Sequence, residues 1–247
     1  MIRSLALVAL LLGAPALACG SGTDCRVPGG TYRIDAPERP RGAVLFAHGI
    51  GGSAAGVMRN RRLRAAMAEA GLALVALDHG GTRWSLYRGS FRDEAAYARA
   101  VRDDVARRTG LPPGRMILAG FSGGGGMVWS VSCRAPSLVA GFVPIGALPW
   151  NRERPVGCDG AAAIRHLHGT ADRVVRPTDP GRDRLGARMA ALRARHGMRA
   201  AAAPRLPGFD CDAWAGGGAR LEYCLHPGGH RFDRAWLVRA WEDMAGR

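Results

Sequence analysis

The stretch Leu118–Trp129, LAGFSGGGGMVW, places one serine among glycines between two apolar segments. The residues before Ser122 are typical of a buried strand, and those after Gly126 are typical of an apolar helix. Gly120, Ser122 and Gly124 fit the pattern G-x-S-x-G, in which a sharp strand-to-helix turn lifts a serine hydroxyl above a sheet. A glycine-rich chain matches this pattern easily by chance, so the flanking strand and helix decide the interpretation. We therefore predict that Ser122 is a nucleophile.

Strand patterns and helix patterns alternate along the rest of the chain. The predicted strands are TYRI, GAVLFAHG, LALVALD, RMILAGFS, LVAGFVPIG, AAIRHLHG and ARLEYCLH. The predicted helices are AAGVMRNRRLRAAMAEAG, DEAAYARAVRDDVARRTG, the segment from about Gly124 to Arg134, the segment near Arg184 to His196, and DRAWLVRAWEDM. Such alternation indicates an α/β fold, in which helices cover both faces of a mostly parallel central sheet. Residues 19–247 suffice for a single domain of this kind, and its ligands would bind beyond the carboxyl ends of the strands.

A serine hydroxyl becomes a useful nucleophile only when a base takes its proton and an acid orients that base. In sheets that carry this serine turn, the acid follows the serine along the chain and the base comes last. Asp172, in HLHGTADRVV, directly follows a predicted strand and is therefore the candidate acid. The alternatives lie in less regular loops and are Asp159, Asp179 and Asp183.

The candidate base is His230, in HPGGHRF, on a glycine-rich loop between the last predicted strand and the last predicted helix. His226 is the second candidate, although we expect it to end the strand. The other histidines after the serine are less well placed. His166 and His168 lie on the strand before the candidate acid, and His196 lies on a predicted helix.

Two backbone N–H groups are needed to hold the negative charge that develops on an attacked carbonyl oxygen. The segment Ala47–Ser53, AHGIGGS, ends an early strand and resembles the glycine-rich turn that supplies one such donor. We assign this donor to the main chain of Ile50 and the second to the main chain of Gly123. His48 is then expected to fix the loop rather than to take part in the chemistry.

No cofactor is expected for this chemistry. A metal ion among His48, His166 and His168 is a conceivable alternative, but no carboxylate spacing accompanies these histidines. The sequence also lacks a Cys-x-x-Cys pair, which disfavours a zinc or redox site. We therefore predict no metal.

The first residues, MIRSLALVALLLGAPALACG, combine one arginine, a short apolar run and Ala16-Leu17-Ala18. These features are typical of a secretory signal peptide that is removed after residue 18. The apolar run is shorter than the roughly 20 residues of a membrane-spanning helix. Acylation of Cys19, as in a lipoprotein, is an alternative, but Leu17 stands one place too close to the cysteine. We expect an exported protein, periplasmic or extracellular, with no integral membrane segment.

The chain carries a net charge of +15, and all 35 of its basic residues are arginines. They are scattered along most predicted helices, whereas nucleic-acid binders usually concentrate basic residues in one patch. The densest cluster, Arg59–Arg64, is interpreted as a solvated helix face. We expect no nucleic-acid partner.

Six cysteines lie at or beyond the predicted cleavage point. An even number of cysteines in an oxidising compartment predicts disulfides. Proximity along the chain suggests the pairs Cys19–Cys25, Cys133–Cys158 and Cys211–Cys224.

Taken together, these motifs resemble the LpqC-type polyhydroxybutyrate depolymerase and feruloyl esterase group of secreted α/β-hydrolases. The resemblance runs from about Cys25 to the C-terminus and is carried by HGIGGSAAGVMRN, GFSGGGGMVW, HGTADRVV and the late GGH. It implies an α/β-hydrolase fold and a serine esterase that acts through an acyl-enzyme intermediate. It also implies Ser122 as nucleophile, Asp172 as acid and His230 as base.

The chain departs from this group at two positions. Many relatives have asparagine or alanine in place of Gly123 and tryptophan in place of Phe232, so the pocket is expected to differ. Small or oligomeric hydroxybutyrate-type esters are the favoured substrates, while feruloyl esters, acetyl-sugar esters, peptides and a non-catalytic binding module stay open. Trp84 and Trp150, each in a loop after a strand, are candidate substrate walls. The sequence does not indicate an oligomeric state.

Overall fold

A computed structural model describes residues 19–78, 80, 84, 93–149, 162–177 and 184–246. The strands are β1 (Cys25–Val27), β2 (Gly30–Asp35), β3 (Gly42–Ala47), β4 (Leu72–Asp78), β5 (Met116–Phe121), β6 (Gly141–Ile145), β7 (Ala163–Gly169), β8 (Arg199–Ala200), β9 (Asp210–Gly216) and β10 (Ala219–His226). The helices are α1 (Ala54–Arg59), α2 (Arg61–Glu69), α3 (Glu94–Thr109), α4 (Gly123–Arg134), α5 (Arg184–Arg195) and α6 (Arg234–Met244), with a 3₁₀ turn at Pro113–Arg115.

All described strands belong to one sheet, in the order β1-β2-β4-β3-β5-β6-β7-β10-β9-β8. The six central strands pair in parallel, and they are β4, β3, β5, β6, β7 and β10. The outer strands β1, β2, β9 and β8 add antiparallel edges. The prediction of a mostly parallel central sheet is therefore confirmed. Since the parallel strands end at the same edge, the segments that follow β3, β5, β7 and β10 are brought together there.

Helices cover both faces of the sheet, as the alternating pattern predicted. One hydrophobic cluster joins the sheet to α3, α4 and α5 and includes the fully buried Tyr97 and Trp129. The other joins the opposite face to α1, α2 and α6 and includes Leu63 and Trp241. The central strands are apolar on both sides because both of their faces are buried. This rigid sheet is the base on which the site loops stand.

The helix predicted over residues 54–71 is in fact two helices. Asn60 ends α1, where its N–H donates to Val57 O, and it begins α2, where its side chain accepts from Leu63 N. Asparagine is a favoured N-cap because its side chain satisfies a free N–H of the first turn. A single capping residue therefore divides the segment that the apolar pattern predicts as one helix.

Strands β1, β8 and β9 were not predicted from the sequence. Strand β9 forms a hairpin with β10 through Gly217 and Gly218, which both have positive φ. Two successive residues with positive φ are what a tight hairpin turn demands, and glycine supplies them without strain.

The described disulfides agree with two of the predicted pairs. Cys19 is bonded to Cys25, and Cys211 is bonded to Cys224 across the β9–β10 hairpin. Cys133 is also disulfide-bonded, whereas its predicted partner Cys158 lies outside the described residues. Disulfides persist in oxidising compartments, which indicates an extracellular or periplasmic location. Within the described ranges, no helix is long and apolar enough to cross a membrane.

Candidate active site

Ser122 occupies a strained turn between β5 and α4. Its φ of 54° and ψ of −119° make it the only non-glycine residue with positive φ in the part of the chain that the structure describes. Its N–H donates to Ile145 O on the neighbouring strand β6. Its side chain caps none of the free N–H groups of α4, so the hydroxyl is not used to stabilise the helix. Backbone strain of this kind is typical of catalytic residues that the surrounding structure forces into position.

Glycines on both sides make the strained turn possible. A Cβ on Gly120 would lie 2.4 Å from Gly124 O, and a Cβ on Gly124 would lie 2.1 Å from Ala47 O. Both contacts are with backbone atoms, which cannot move aside as a flexible side chain could. The glycines of the G-x-S-x-G pattern therefore have a steric origin.

Asp172 follows β7 and points into the protein. Its side chain is fully buried, and its Oδ1 accepts from the N–H groups of Val174 and Val175. Its Oδ2 faces His230. Burying a carboxylate is costly unless its oxygens accept hydrogen bonds, and here each oxygen has a partner.

His230 lies on the loop between β10 and α6 and bonds to Asp172. Its Nδ1 lies 2.7 Å from Asp172 Oδ2. Because a carboxylate accepts, Nδ1 donates and Nε2 is the nitrogen that remains for another partner. The ring packs on Phe121, the residue before Ser122, with 4.6 Å between ring centroids. The structure thus brings the predicted acid and base together and packs the base against the serine turn.

The loop after β3 lies against the start of α4. A Cβ added to Gly123 would lie 3.4 Å from Ile50 N. The backbones of Ile50 and Gly123, the two predicted oxyanion donors, are therefore neighbours. Within the described residues, neither N–H donates to a backbone carbonyl. Gly123 also begins α4, where N–H groups lack intrahelical partners and the helix dipole favours negative charge.

Trp84 lies behind this loop. Its side chain is fully buried, its Nε1 donates to His48 O, and its ring lies 5.0 Å from that of His48. His48 itself is buried, with Nδ1 2.8 Å from Gly49 O. The expectation that Trp84 forms a substrate wall is corrected by this burial, because its side chain has no free surface. Trp150, the other candidate wall, lies outside the described residues.

His226 ends β10, as expected, and its Nδ1 accepts from Gly228 N rather than from a catalytic group. His196 directly follows α5. The alternative acids lie outside the described residues and are Asp159, Asp179 and Asp183.

A second hydrogen-bonded chain, which was not predicted from the sequence, adjoins the site. Trp129 Nε1 lies 3.0 Å from His166 Nδ1, and His166 Nε2 lies 2.9 Å from His168 Nδ1. His168 Nε2 lies 2.8 Å from Val175 O and 3.4 Å from Asp172 Oδ2. We call Trp129, His166 and His168 the histidine relay. The H-x-H spacing on β7 was visible in the sequence, but its partner on α4 was not.

The histidine relay is not arranged as a metal site. Among the described residues, no group of three or more His, Cys, Asp or Glu side chains is placed to hold a metal ion. Burial lowers the pKa of His166 well below its ordinary value, and it also lowers the pKa of His168. Both rings are therefore neutral, and their nitrogens are already engaged in hydrogen bonds.

The chain belongs to the α/β-hydrolase fold family, whose model matches residues 42–236. It is 32% identical over 161 residues to the "Putative esterase NocK" of Nocardia uniformis subsp. tsuyamanensis. That match covers 60% of this chain and 46% of the relative, so the chain spans about half of the relative's length.

Solved structures share the fold at low sequence identity. The acetyl xylan esterase from Aspergillus awamori has a TM-score of 0.61 at 12% identity, covering 87% of this chain and 94% of that structure. The carboxylesterase from Mesorhizobium loti has a TM-score of 0.60 at 22% identity, covering 86% of this chain and 94% of that structure. Identities this low establish the fold and leave the substrate to be argued from the site.

Proposed function

We propose that the protein is a serine esterase that hydrolyses carboxylic esters through an acyl-enzyme intermediate. The observation that carries the proposal is the hydrogen bond between the buried Asp172 and His230, whose ring packs on the residue before the strained Ser122. A base held by a buried acid beside a serine in this turn is the arrangement that activates a hydroxyl.

The proposed reaction has two halves. Ser122 Oγ attacks the ester carbonyl while His230 Nε2 takes its proton, and the alcohol then leaves with that proton. Water attacks the acyl-enzyme with the same base and frees the acid. Asp172 keeps His230 in the Nδ1–H tautomer and stabilises the imidazolium that forms twice per cycle.

The N–H groups of Ile50 and Gly123 are proposed to hold the oxyanion in both halves. Their nearness across the β3 loop and the start of α4 supports this role. One such donor is worth roughly 10²- to 10³-fold in kcat in enzymes of this type. The esterase names of several structural relatives also favour ester over peptide substrates.

Short hydroxyacid esters, such as polyhydroxybutyrate oligomers, are the proposed substrate class. Two exposed apolar side chains lie on the loops that carry site residues: Ile50, 49% exposed, beside Gly123, and Val174, 72% exposed, two residues after Asp172. They are the exposed large apolar side chains of the described residues. An apolar rim suits short aliphatic ester groups, because it removes their surface from water on binding.

We also propose that the protein is exported by a signal peptide that ends at Ala18. The disulfides among the described residues support an oxidising destination. The bond between Cys19 and Cys25 occupies the thiol that a lipid anchor would need, which disfavours the lipoprotein alternative.

Hydrolysis of p-nitrophenyl butyrate by the wild type and by Ser122→Ala tests the esterase proposal. We expect the variant to lose at least about 10⁴-fold in kcat, while the control Ser137→Ala, at an exposed serine after α4, keeps wild-type activity. Equal activity of Ser122→Ala and the wild type would refute the proposal. A panel of 3-hydroxybutyrate oligomers, feruloyl esters and acetyl-sugar esters then ranks substrates by kcat/KM.

A further inference from the structure

The histidine relay has a fixed direction. An indole N–H only donates and a carbonyl oxygen only accepts. Trp129 Nε1–H therefore donates to His166 Nδ1, so His166 carries its hydrogen on Nε2 and donates to His168 Nδ1. His168 then carries its hydrogen on Nε2 and donates to Val175 O. Each histidine has one possible neutral tautomer.

This direction matters because the relay ends at the acid. His168 Nε2 lies 3.4 Å from Asp172 Oδ2, the oxygen that binds His230 Nδ1 at 2.7 Å. A proton added to His168 would create a second cation beside the carboxylate. That cation would compete with His230 for the same oxygen during catalysis.

The relay opposes this protonation. A proton on His168 Nδ1 would face the Nε2–H of His166, donor against donor. His166 could yield only by moving its hydrogen to Nδ1, where it would face the indole N–H of Trp129. The indole cannot become an acceptor, so the conflict has no relaxed solution in this fully buried site.

The other groups around His168 do not by themselves prevent its protonation. Asp172 favours the charged form of His168, and His230 opposes it. On the β10 side, Tyr223 contacts the neighbouring relay ring, and His226 is within electrostatic range of His168. Burial lowers the pKa of His168, whereas its contacts with Val175 O and Asp172 raise it.

We propose that Trp129 and His166 are positioning residues that lock His168 in its neutral Nε2–H form and so reserve Asp172 for His230. The catalytic part of this inference rests on the proposed esterase function. The relay thereby links the helix that begins after the serine to the loop that holds the acid.

Trp129→Phe tests the catalytic consequence, because phenylalanine fills most of the indole's volume and removes its N–H. His166 is then free to reverse its tautomer, and His168 gains a proton as the pH falls. We expect the acid limb of kcat/KM against pH to move to higher pH by at least about half a unit.

The matched control is Trp241→Phe, which removes another buried indole N–H, bonded to Arg115 O in the opposite hydrophobic cluster. We expect it to leave the acid limb in place. An unchanged limb in Trp129→Phe, or a shift to lower pH, would overturn the proposal, as would an equal shift in the control.

Nitrogen NMR of the ¹⁵N-histidine-labelled wild type tests the tautomers directly and needs neither a variant nor a substrate. We expect His166 and His168 to keep a protonated Nε2 and an unprotonated Nδ1 between about pH 5 and 8. Protonation of Nδ1 in either ring within this range would overturn the proposal. Since no turnover is measured, this result stands apart from the success or failure of the esterase assay.

Discussion

The serine turn, Phe121–Gly125, and the acid loop, Asp172–Val175, lie at the same end of the sheet but are held in different ways. The serine turn is fixed by backbone contacts so close that a Cβ on Gly120 or Gly124 would collide with a main-chain oxygen. The acid loop is fixed by hydrogen bonds, from two N–H groups to the carboxylate and from His168 to a carbonyl.

The difference indicates which kind of change each region tolerates. A Cβ at Gly120 or Gly124 collides with backbone, so such a change acts on folding. Replacing the carboxylate of Asp172 by an amide keeps the shape of the acid loop, so this change acts on proton position and hence on turnover.

Asp172→Asn is expected to have the largest effect. The amide oxygen still accepts from the N–H groups of Val174 and Val175, so the loop keeps its shape. The amide nitrogen then faces His230 and favours the wrong tautomer, which lowers kcat by about 10³- to 10⁴-fold in such triads. Ester hydrolysis measures this loss, and thermal unfolding verifies that the fold persists.

The control is Asp103→Asn, at an exposed carboxylate on α3 that pairs with Arg102. It should leave kcat unchanged. Full activity of Asp172→Asn would mean that the acid loop has no part in proton transfer.

Gly124→Ala comes next and should act on stability. The new Cβ would stand 2.1 Å from Ala47 O, so the β3 loop or α4 must shift. We expect a loss of about 3 kcal/mol or more in the free energy of unfolding, measured by urea denaturation. Gly114→Ala, where a Cβ meets nothing within 4 Å, should cost less than about 0.5 kcal/mol. Equal stability of the two variants would contradict the steric account of the serine turn.

The buried relay predicts a smaller, pH-dependent effect on stability. Burial lowers the pKa of His166 and His168 below 6.5 in the folded protein, whereas the unfolded chain protonates them near that value. The unfolded state therefore binds more protons as the pH falls below about 6.5. The free energy of unfolding should fall by up to about 1.4 kcal/mol per pH unit for each histidine.

Urea unfolding at about pH 7.5, 6.5 and 5.5 measures this slope. His168→Gln should show a shallower loss than the wild type, since one of the titrating rings is gone. A wild-type stability that is constant or rises on acidification across this range would contradict the neutral relay.

Val174→Ser should have the smallest effect on stability. The acid loop uses the N–H of Val174, while its side chain is 72% exposed. We expect the free energy of unfolding to change by less than about 0.5 kcal/mol. A larger loss would mean that side-chain packing, rather than hydrogen bonding, holds the acid loop.

The same contrast explains how much of the molecule the sequence could predict. The serine turn was predictable because its requirements are local: a strand, glycines two residues to either side, and a helix. The pairing of Asp172 with His230 was predictable from chain order and from their places after strands. The catalytic roles of these residues stay predictions.

Features that depend on distant partners were harder to predict. The H-x-H of β7 places His166 and His168 on one face of a strand, but Trp129 lies 37 residues earlier and meets them only in the folded core. The burial of Trp84 beneath His48 likewise depends on packing between separate loops. Strand β9 was a different case, because the Gly217-Gly218 turn signal was present in the sequence and was not used.

The most direct test of the central claim is reaction with a serine-directed fluorophosphonate, followed by peptide mass spectrometry and an ester assay on the same sample. The account predicts stoichiometric labelling of Ser122, loss of hydrolysis in proportion to labelling, and no labelling of Ser122→Ala. Full hydrolysis after complete labelling of Ser122, or labelling at another serine that abolishes activity, would contradict it.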